Sequence, residues 1–351
     1  MPHDGGAAGA HPAAPMSEAD LAALVRAAAV PLRPVGGSTR LLPGEDRPRL
    51  STAGLTGITL YEPAALTLIA RAGTPLADVE AVLAAEGQML AFEPPARPGS
   101  TIGGVCAANA SGPRRVQAGA CRDAMLGIRM VDGNGEIIAN GGRVMKNVTG
   151  YDLVKLMAGS RGRLGILTEV ALKTAPIPPA RRTLRLDLDA AAAVPALTAA
   201  LTGPFDITGA GWLPDAGAIL RLEGLTQSVA LRAEALARVL APFGMVTELA
   251  DDPWPRLGDM PTSDAEGDLW RILCRPSQAA RILATLEPLA LDWGGALIVA
   301  QLTEPPVLPP GAIATRLTGA PGVVRLPAPD PVTARLEAGL KAQFDPRGIL
   351  A

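Results

Sequence analysis

The spacing of hydrophobic residues predicts two helices in the first quarter of the chain. Apolar side chains recur three and four residues apart over 17–30 and over 74–87, which is the period of one helical face. The serine that opens the first range is its expected N-cap. The second helix is expected to have Thr74 as its N-cap, Pro75 at its first position and Gly87 just past its end.

Alternating or continuous apolar runs predict strands around these helices. A short strand is expected to end at Val35, and GITLY and LTLIARAG predict two more strands before the second helix. MLGIRMVDGNGEIIA has the form of two strands joined by a DGNG turn. TGYDLVKLMAG then predicts a helix, and GILTEVALKTAP predicts a strand that ends at Pro176.

The proline-rich segment PIPPA, residues 176–180, predicts a boundary between two domains. Beyond it, the strand-like runs TLRLDL and AILRLEG alternate with an alanine-rich helical stretch interrupted by Pro195 and with the amphipathic SVALRAEALARVLAPFG. This alternation predicts an α+β fold, in which helices cover an antiparallel sheet.

Length and composition narrow the functional classes. The 351 residues carry a net charge of −2, and 3% of them are aromatic, so the sequence indicates neither a general attraction to nucleic acid nor a base-stacking platform. No apolar run approaches the roughly 20 residues of a membrane-spanning helix. Residues 1–16 are rich in Gly, Ala and Pro, lack the regions of a signal peptide and are expected to form a disordered tail.

Cysteine and histidine are scarce and widely spaced. Cys106, Cys121 and Cys274 form neither a disulfide framework nor a metal-binding pattern, in keeping with a reducing cytoplasm, and we expect them to be core residues. His3 and His11 both lie in the expected tail. A Ser-His-Asp triad, a Cys-His dyad and a histidine-based metal site are therefore excluded from the folded part, and no metal site is expected.

Two glycine-rich turns are the strongest candidates for a binding site. VGGSTR, residues 35–40, and GSTIGGVCAANASG, residues 99–112, offer backbone N–H groups that can approach an anion closely. Neither matches the P-loop pattern, and the glycines of GSRGRLG precede a strand rather than follow one, which argues against a Rossmann fold. Taken singly, each turn is better explained as a tight connection between packed elements.

Together, the turns and the segments between them resemble the FAD-binding domain of the vanillyl-alcohol oxidase (PCMH) type. The likeness covers about residues 31–176 and is carried by PLRPVGGSTRLLPG, PGSTIGGVCAANASGPRR and GYDLVKLMAGS, followed by GILTEV. ARAGTPLADVEAVLAAEGQMLAFEPP, MKNVTGYDL and the C-terminal FDPRGILA resemble, more narrowly, the FAD-binding E subunits of bacterial glycolate oxidases.

This resemblance implies a domain plan for the chain. An FAD-binding domain of the PCMH type would cover 17–178, and a smaller α+β cap domain would cover 179–325. The last segment, 326–351, would return to the FAD domain.

The resemblance also implies which residues contact FAD. The pyrophosphate would be cradled by Gly36, Gly37, Ser38 and Thr39, and the pyrophosphate and the isoalloxazine would be lined by Pro98, Gly99, Ser100, Thr101, Ile102, Gly103 and Gly104. The contacts would continue along the ribityl and adenosine side with Ala107, Asn109, Ser111 and Gly112. The adenine end would be contacted by Gly165, Ile166 and Leu167.

Several features depart from the family pattern. Val35 stands where an arginine is usual in these subunits, and Ser38 stands where a third glycine is common. Some members attach FAD covalently to a histidine. Because the folded part has no histidine, FAD is expected to be noncovalent.

The resemblance implies an FAD-dependent oxidoreductase subunit of glycolate oxidase, which converts glycolate or another D-2-hydroxyacid to glyoxylate or a 2-oxoacid. Electrons would pass through flavin to an iron–sulfur subunit, and the partners would be that subunit and a catalytic flavoprotein subunit. Contact with a membrane would be peripheral and through the complex. Two alternatives stay open: a self-sufficient dehydrogenase or oxidase of D-lactate or another alcohol, and a structural subunit with a vestigial flavin site.

No residue stands out as a catalytic base, because the histidine-rich motif of the catalytic subunits has no counterpart in this sequence. The remaining candidates are two turn acids, three residues expected on one helix, and two basic residues: Asp187 and Asp189; Tyr151, Asp152 and Lys155; Lys146 and Arg115. Solvation explains the acids, and capping and packing explain the second group. The basic pair is as readily surface charge as a contact to flavin or a substrate anion.

Overall fold

The computed structural model of the chain describes residues 14–44, 46–142, 151–258 and 265–350. The first thirteen residues, with both histidines, and Lys146 lie outside these ranges. Within them, the chain forms two large antiparallel sheets with helices packed on them. The predicted α+β fold class is thereby confirmed.

The secondary structure follows the predicted alternation of helices and strands. The α-helices are α1 (Glu18–Ala27), α2 (Leu76–Ala85), α3 (Ile102–Ala108), α4 (Arg115–Ala118), α5 (Cys121–Ala124), α6 (Leu153–Met157), α7 (Ala190–Thr202), α8 (Thr226–Leu240), α9 (Trp254–Gly258), α10 (Pro276–Leu283) and α11 (Pro331–Phe344). The β-strands are β1 (Arg33–Val35), β2 (Arg49–Ser51), β3 (Ile58–Glu62), β4 (Thr67–Arg71), β5 (Gln88–Met89), β6 (Met125–Val131), β7 (Ile137–Gly141), β8 (Ile166–Lys173), β9 (Ala175–Pro176), β10 (Ala180–Leu186), β11 (Ile207–Leu213), β12 (Gly217–Gly224), β13 (Val246–Glu248), β14 (Asp268–Leu273), β15 (Ala290–Asp292), β16 (Leu297–Leu302), β17 (Ile313–Arg316) and β18 (Arg325–Leu326).

The first sheet has five strands in the order β3–β4–β8–β6–β7. The predicted hairpin between β6 and β7 is confirmed: the Asp132 carboxylate accepts hydrogen bonds from the backbone N–H of Asn134 at 2.9 Å and of Glu136 at 2.8 Å, which closes the turn. Buried side chains of α2 and α3, among them Val79 and Val105, pack on this sheet. β1 and β2 form a separate parallel pair beside it.

The second sheet has nine strands in the order β13–β10–β12–β11–β15–β16–β14–β17–β18. Helices α7, α8 and α10 cover one face of it, where Leu220 and Leu222 of β12 are buried. Because successive side chains of a strand point to opposite faces, Arg221 and Glu223 lie on the other face. That face packs against the first unit, since Arg221 contacts Glu93 there.

We call the contact between these two units the seam. Its charged and aromatic residues are Glu93, Arg114 and Arg115 on the side of the first unit, and Arg221, Glu223, Arg271, Asp292 and Trp293 on the side of the nine-stranded sheet.

The helix ends test the predicted caps. Ser17 is the N-cap of α1, and its Oγ accepts a hydrogen bond from the backbone N–H of Asp20 at 3.1 Å, as predicted. The predicted N-cap Thr74 is wrong, because Pro75 occupies that position. The Thr74 hydroxyl instead donates to the Arg71 carbonyl at 2.7 Å and accepts from the backbone N–H of Gly57 at 3.0 Å.

Three helices differ from the predictions. α3 lies inside the glycine-rich stretch that was expected to be a loop, and its side chains Ile102 and Val105 are fully buried. α6 is shorter than predicted, and Asp152 caps it rather than lying within it. α7 runs through Pro195 without interruption.

The C-terminal segment lies against the first unit. After α11, Leu350 forms a parallel bridge with Leu32, and Lys341 donates to the Arg163 carbonyl at 2.9 Å. The domain limits stay a prediction. Among the described residues, no helix is long and apolar enough to cross a membrane.

Candidate functional site

The first glycine-rich turn carries a row of backbone donors. Residues 36–39 follow β1, and Ser38 has φ 58°, a left-handed conformation that is uncommon outside glycine. Within the described chain, no backbone group accepts a hydrogen bond from the N–H of these four residues. A left-handed residue in such a turn directs successive N–H groups into one concavity that suits an anion.

Two glycines allow this turn to approach the second stretch closely. A Cβ on Gly37 would lie 1.5 Å from the carbonyl oxygen of Gly99, and a Cβ on Gly36 would lie 2.2 Å from Oγ1 of Thr101. Real Cβ atoms do not come this near to other heavy atoms, so only glycine fits at either position. The Thr39 and Ser100 hydroxyls, 3.0 Å apart, join the same two segments.

The second stretch offers fewer free amides than its sequence indicates. The N–H of Ile102 donates to the Thr74 carbonyl at 2.9 Å, and that of Gly103 donates to the Ala72 carbonyl at 2.8 Å. The N–H of Gly104 donates to Oγ1 of Thr101 at 3.3 Å. The start of α3 is therefore satisfied within the protein, and the stretch contributes a smooth wall rather than a row of donors.

Between these two segments and the loop before β8 lies an open cleft. Its empty space is about 610 Å³, with the open mouth included. Its lining contains no carboxylate and consists of Pro34, Val35, Gly36, Gly37, Ser38, Thr39, Arg40, Leu41, Thr52, Thr101, Gly103, Gly104, Ala107, Ala108, Arg161, Gly162, Ile166 and Leu167. An apolar cleft with a few polar groups is the usual form of a cofactor site.

The charged lining groups of the cleft are both arginines. Arg161 donates to the Arg40 carbonyl at 2.8 Å, and burial lowers the pKa of its guanidinium. Arg40 donates to the Ser100 hydroxyl at 2.7 Å. Free backbone donors, two guanidinium groups and the absence of lining acids together fit an anionic dinucleotide such as FAD.

Ten of the residues predicted to contact FAD line this cleft: Gly36, Gly37, Ser38, Thr39, Thr101, Gly103, Gly104, Ala107, Ile166 and Leu167. The other predicted residues are outside the lining: Pro98, Gly99, Ser100, Ile102, Asn109, Ser111, Gly112 and Gly165. Two of these have structural partners, since the Asn109 side chain accepts from the N–H of Arg122 at 2.9 Å and the Ser111 hydroxyl accepts from that of Cys121 at 2.9 Å.

Several lining residues were missed in the sequence. Arg40 and Leu41 directly follow the first glycine-rich turn, and Arg161 and Gly162 lie in GSRGRLG, so continuity with those motifs was an available signal. Thr52 lies just past β2 and reaches the cleft through the pairing of β1 with β2. Nothing in its local sequence indicates that role.

Comparison with known proteins identifies the cofactor of such a cleft. Residues 10–141 match the sequence model of a family described as FAD binding domain. The chain is 38% identical over 303 residues to glycolate oxidase subunit GlcE of Escherichia coli (strain K12), and the alignment covers 84% of this chain and 83% of that protein. The chain belongs to the GlcE family of FAD-binding oxidoreductases.

Another curated protein matches part of this GlcE family member, and two solved structures share its fold. The chain is 35% identical over 170 residues to glycolate oxidase subunit GlcD of Bacillus subtilis (strain 168), which is 46% of this chain and 36% of that protein. Two solved structures of alkyldihydroxyacetonephosphate synthase cover 96% of this chain at 16% identity, with TM-scores of 0.64 and 0.68 and 74% and 76% of their own lengths. That likeness shows a shared fold.

The acids and the helix residues considered in the sequence have structural roles. Asp189 caps α7 by accepting from the N–H of Ala192 at 2.8 Å, and the Asp187 side chain is 94% exposed. Asp152 accepts from the N–H of Lys155 at 3.0 Å, and Tyr151 is 90% exposed ahead of α6. The capping role of Asp152 and the solvation of Asp187 are as expected. Asp189 caps a helix instead of being a solvated turn acid, and Tyr151 is exposed instead of packed on a helix.

The cysteines are not exposed nucleophiles. Cys106 and Cys121 are fully buried, as predicted, with their sulfur atoms 3.8 Å apart. Burial and the hydrogen bond to Cys106 raise the pKa of Cys121 well above its usual range. Cys274 is only partly buried, and burial raises its pKa to about 11. A thiol is a poor nucleophile under these conditions, since the thiolate is the reactive form.

The seam contains a buried network of ion pairs. The guanidinium of Arg221 donates to both carboxylate oxygens of Glu93, at 2.7 and 2.6 Å, and Arg114 lies 2.6 Å from Glu223. Burial alone would raise the pKa of Glu223, but Arg221 and Arg114 lower it below the usual value. These pairs join the nine-stranded sheet to the segments that flank the second glycine-rich stretch.

Proposed function

We propose that this chain is the FAD-binding subunit of a glycolate oxidase complex and that the cleft described above holds one FAD noncovalently. The similarity to GlcE along most of both chains carries this proposal. When bound, FAD supplies the redox chemistry by accepting a hydride equivalent from a substrate alcohol carbon. The protein binds and orients it.

We assign the pyrophosphate to the N–H groups of residues 36–39. These donors have no backbone acceptor in the described part of the chain, and Arg161 adds positive charge at the same cleft. Small residues of α3, Gly104 and Ala107, would leave room for the flat ring system. The positions of the two histidines, both in the first eleven residues, support noncovalent binding.

The substrate chemistry is assigned to a partner. Removal of the hydroxyl proton of a 2-hydroxyacid needs a base that is effective near neutral pH, usually histidine. The described residues include no histidine, and the candidate acids cap helices or face solvent. A catalytic flavoprotein subunit would supply the base, and the 35% identity over 170 residues to a glycolate oxidase subunit GlcD supports a related chain as that partner.

An iron–sulfur subunit would complete the electron path to an acceptor. Such clusters are held by groups of cysteine thiolates, and the three cysteines of this chain are spread over 106–274. We place the complex in the cytoplasm, with membrane contact through its partners.

An anaerobic spectral titration tests whether this chain binds FAD while a partner subunit supplies the substrate chemistry. The chain is purified alone and together with its candidate partners, and glycolate is added while the flavin absorbance is recorded. The proposal expects bleaching only when the catalytic partner is present. Bleaching of the isolated chain would instead favour a self-sufficient dehydrogenase, and a colourless chain that gains no flavin would favour a structural subunit.

A further inference from the structure

Glu93 adopts a backbone conformation that is rare for its residue type. Its φ is 51°, in the left-handed region that favours glycine. The residue lies between β5 and α3, on a segment outside the lining of the FAD cleft. Such strain persists where surrounding contacts fix the backbone, and it is concentrated at sites where a defined geometry is needed for function. The contacts of Glu93 therefore indicate what its conformation serves.

The backbone around Glu93 lies against the end of the second glycine-rich stretch. The N–H of Gly112 donates to the Phe92 carbonyl at 3.0 Å. A Cβ on Gly112 would lie 2.2 Å from the Glu93 carbonyl oxygen, so only glycine allows this approach. The Glu93 carboxylate also accepts a hydrogen bond from the backbone N–H of Arg114 at 2.9 Å. Glu93 thus fixes the end of the stretch that contains α3, one wall of the cleft.

The segment after this residue also reaches the first glycine-rich turn. The Arg97 guanidinium donates to the Thr39 carbonyl at 3.0 Å, and the guanidinium of Arg40 donates to the Pro95 carbonyl. Thr39 belongs to the row of backbone donors to which we assign the pyrophosphate. A single short segment, residues 93–97, therefore connects the two glycine-rich elements of the cleft.

On the other side of the seam, Arg221 is held firmly where it meets Glu93. Its guanidinium donates to the two Glu93 carboxylate oxygens at 2.7 and 2.6 Å. The same group donates to the Thr208 carbonyl at 2.9 Å and lies over the Trp254 ring, with its carbon 4.7 Å from the ring centroid. Arg221 is fully buried. Because its other contacts belong to the unit of the nine-stranded sheet, this bidentate pair ties the position of Glu93 to that unit.

We propose that Glu93 is a positioning residue for FAD: paired with Arg221, it sets the spacing of the two glycine-rich elements and couples FAD binding to the seam. This inference rests on the proposed function, since it concerns the same cleft, and adds a residue outside the lining of that cleft. Coupling between two sites is reciprocal. FAD therefore strengthens the contact across the seam by the factor by which that contact strengthens FAD binding.

Titration of the flavin-free full chain with FAD, followed by flavin fluorescence, tests the proposal. The wild type is expected to bind FAD saturably. E93Q keeps the size of the side chain but removes the charge that pairs with Arg221, and it is expected to weaken FAD binding about tenfold, as is usual for coupled sites. E248Q removes the same kind of charge from an exposed pair with Arg182 on the same sheet. This matched control is expected to bind FAD like the wild type.

The double variant E93Q/R221M separates positioning from folding. E93Q alone leaves the Arg221 charge buried without its partner, which destabilises the fold, whereas the double variant also removes that charge. Stability is therefore expected to recover in the double variant, while FAD affinity stays about tenfold below that of the wild type. Thermal unfolding without FAD measures the first quantity, and the titration measures the second. E93D, which keeps the charge on a shorter side chain, is expected to bind FAD with intermediate affinity.

Hydrogen exchange measures the reciprocal effect on the far side of the seam. Residues 207–224 form β11 and β12 with their connecting turn, and none of them lines the cleft. FAD is expected to slow the exchange of their backbone amides in the wild type. In E93Q the same addition, at a concentration that saturates the variant, is expected to leave their exchange unchanged, because the link through Arg221 is lost.

The outcomes separate this inference from the proposed function. If folded E93Q binds FAD as tightly as the wild type, the positioning role is refuted. Recovery of FAD affinity together with stability in E93Q/R221M would show that Glu93 only supports the fold, and would also overturn the proposal. A folded wild type that takes up no FAD would refute the proposed function itself, and this inference with it.

Discussion

Asp292 places an ionisable carboxyl group in the interior of the seam. Its residue is 4% exposed, and the carboxyl accepts a hydrogen bond from the backbone N–H of Trp293 at 2.7 Å. Burial outweighs that hydrogen bond and raises its pKa to about 8. In the unfolded chain the pKa of an aspartate is about 4, so between these two pH values the folded state retains a proton that the unfolded state releases.

Stability is therefore expected to fall as the pH rises from about 4 to about 8. The folded state binds more protons across this window, so the contribution of Asp292 falls by up to about 1.4 kcal/mol per pH unit. Asp292→Asn keeps an oxygen for the Trp293 N–H and cannot ionise, so its unfolding free energy should depend less on pH. Urea titrations across the window measure both slopes, and parallel slopes would refute this role.

The first glycine-rich turn gives a second prediction at single positions. Gly37→Ala places a Cβ 1.5 Å from the Gly99 carbonyl oxygen, so the two segments must separate and FAD affinity should fall at least about tenfold, or roughly 1.4 kcal/mol. Gly339→Ala is the control, because nothing lies within 4 Å of a Cβ on this α11 residue. It should leave FAD binding unchanged and stabilise the helix by about 0.5–1 kcal/mol. Flavin titration followed by fluorescence measures both affinities, and equal values would contradict the close-approach argument.

The sequence indicated the positions of the cleft better than the role of each side chain. Residues 36–39 were identified because glycine and hydroxyl residues mark a turn that can bind an anion. Asn109 and Ser111 were expected to contact the cofactor, yet their side chains bond the backbone of residues 121–122. The order of residues in the sequence does not show whether such a side chain will bond the cofactor or the backbone of a segment that folds beside it.

At the level of elements, α3 shows where local propensity fails. Glycines at 103 and 104 disfavour a helix, and the stretch was expected to be a loop. Burial of Ile102 and Val105 against the first sheet, with Thr101 as N-cap, outweighs that preference. Helices α1 and α8 were predicted because the helical spacing of their own apolar residues is sufficient to specify them.

The end of α11 depends on one carboxylate. Asp345 accepts hydrogen bonds from the backbone N–H of Ile349 and of Leu350, both at 2.8 Å, and its carboxylate lies 2.6 Å from the Lys341 ammonium. These bonds hold the last residues against β1, through the bridge between Leu350 and Leu32.

Asp345→Ala is expected to destabilise the chain by about 2–3 kcal/mol, because it leaves two buried N–H groups without an acceptor. Glu337→Ala, also on α11, breaks an exposed pair with Arg325 of β18 and should cost less than about 1 kcal/mol. Urea unfolding of both variants provides the comparison. Similar costs would show that the C-terminal turn contributes little to the fold.

On the scale of the whole molecule, the seam joins two units, and the sequence of neither unit indicates that it contacts the other. Glu93 and Arg221 are separated by 128 positions and belong to segments that were assigned to different domains. Hydrophobic periodicity predicted strands in both units and an antiparallel sheet in the second, because it reports which face of a strand is buried. It does not report which polar residues meet across two packed units, so the ion-pair network of the seam was visible only in the structure.

Glu93→Gln tests the contribution of that network. The change keeps the size of the side chain but removes the charge that faces the fully buried Arg221, and about 3 kcal/mol of stability should be lost. Arg256→Gln, which breaks an exposed pair with Asp215, should cost less than about 1 kcal/mol. A double-mutant cycle of Glu93→Gln with Arg221→Met isolates the pair, and additive effects would contradict a direct coupling across the seam.

The most direct measurement for the account as a whole is the flavin content of the purified chain before and after acid precipitation. One FAD per chain, recovered entirely in the supernatant, is the predicted result, because the cleft holds the cofactor without a covalent bond. A folded chain that takes up no FAD when it is supplied, or flavin that stays with the precipitate, would contradict the central claim.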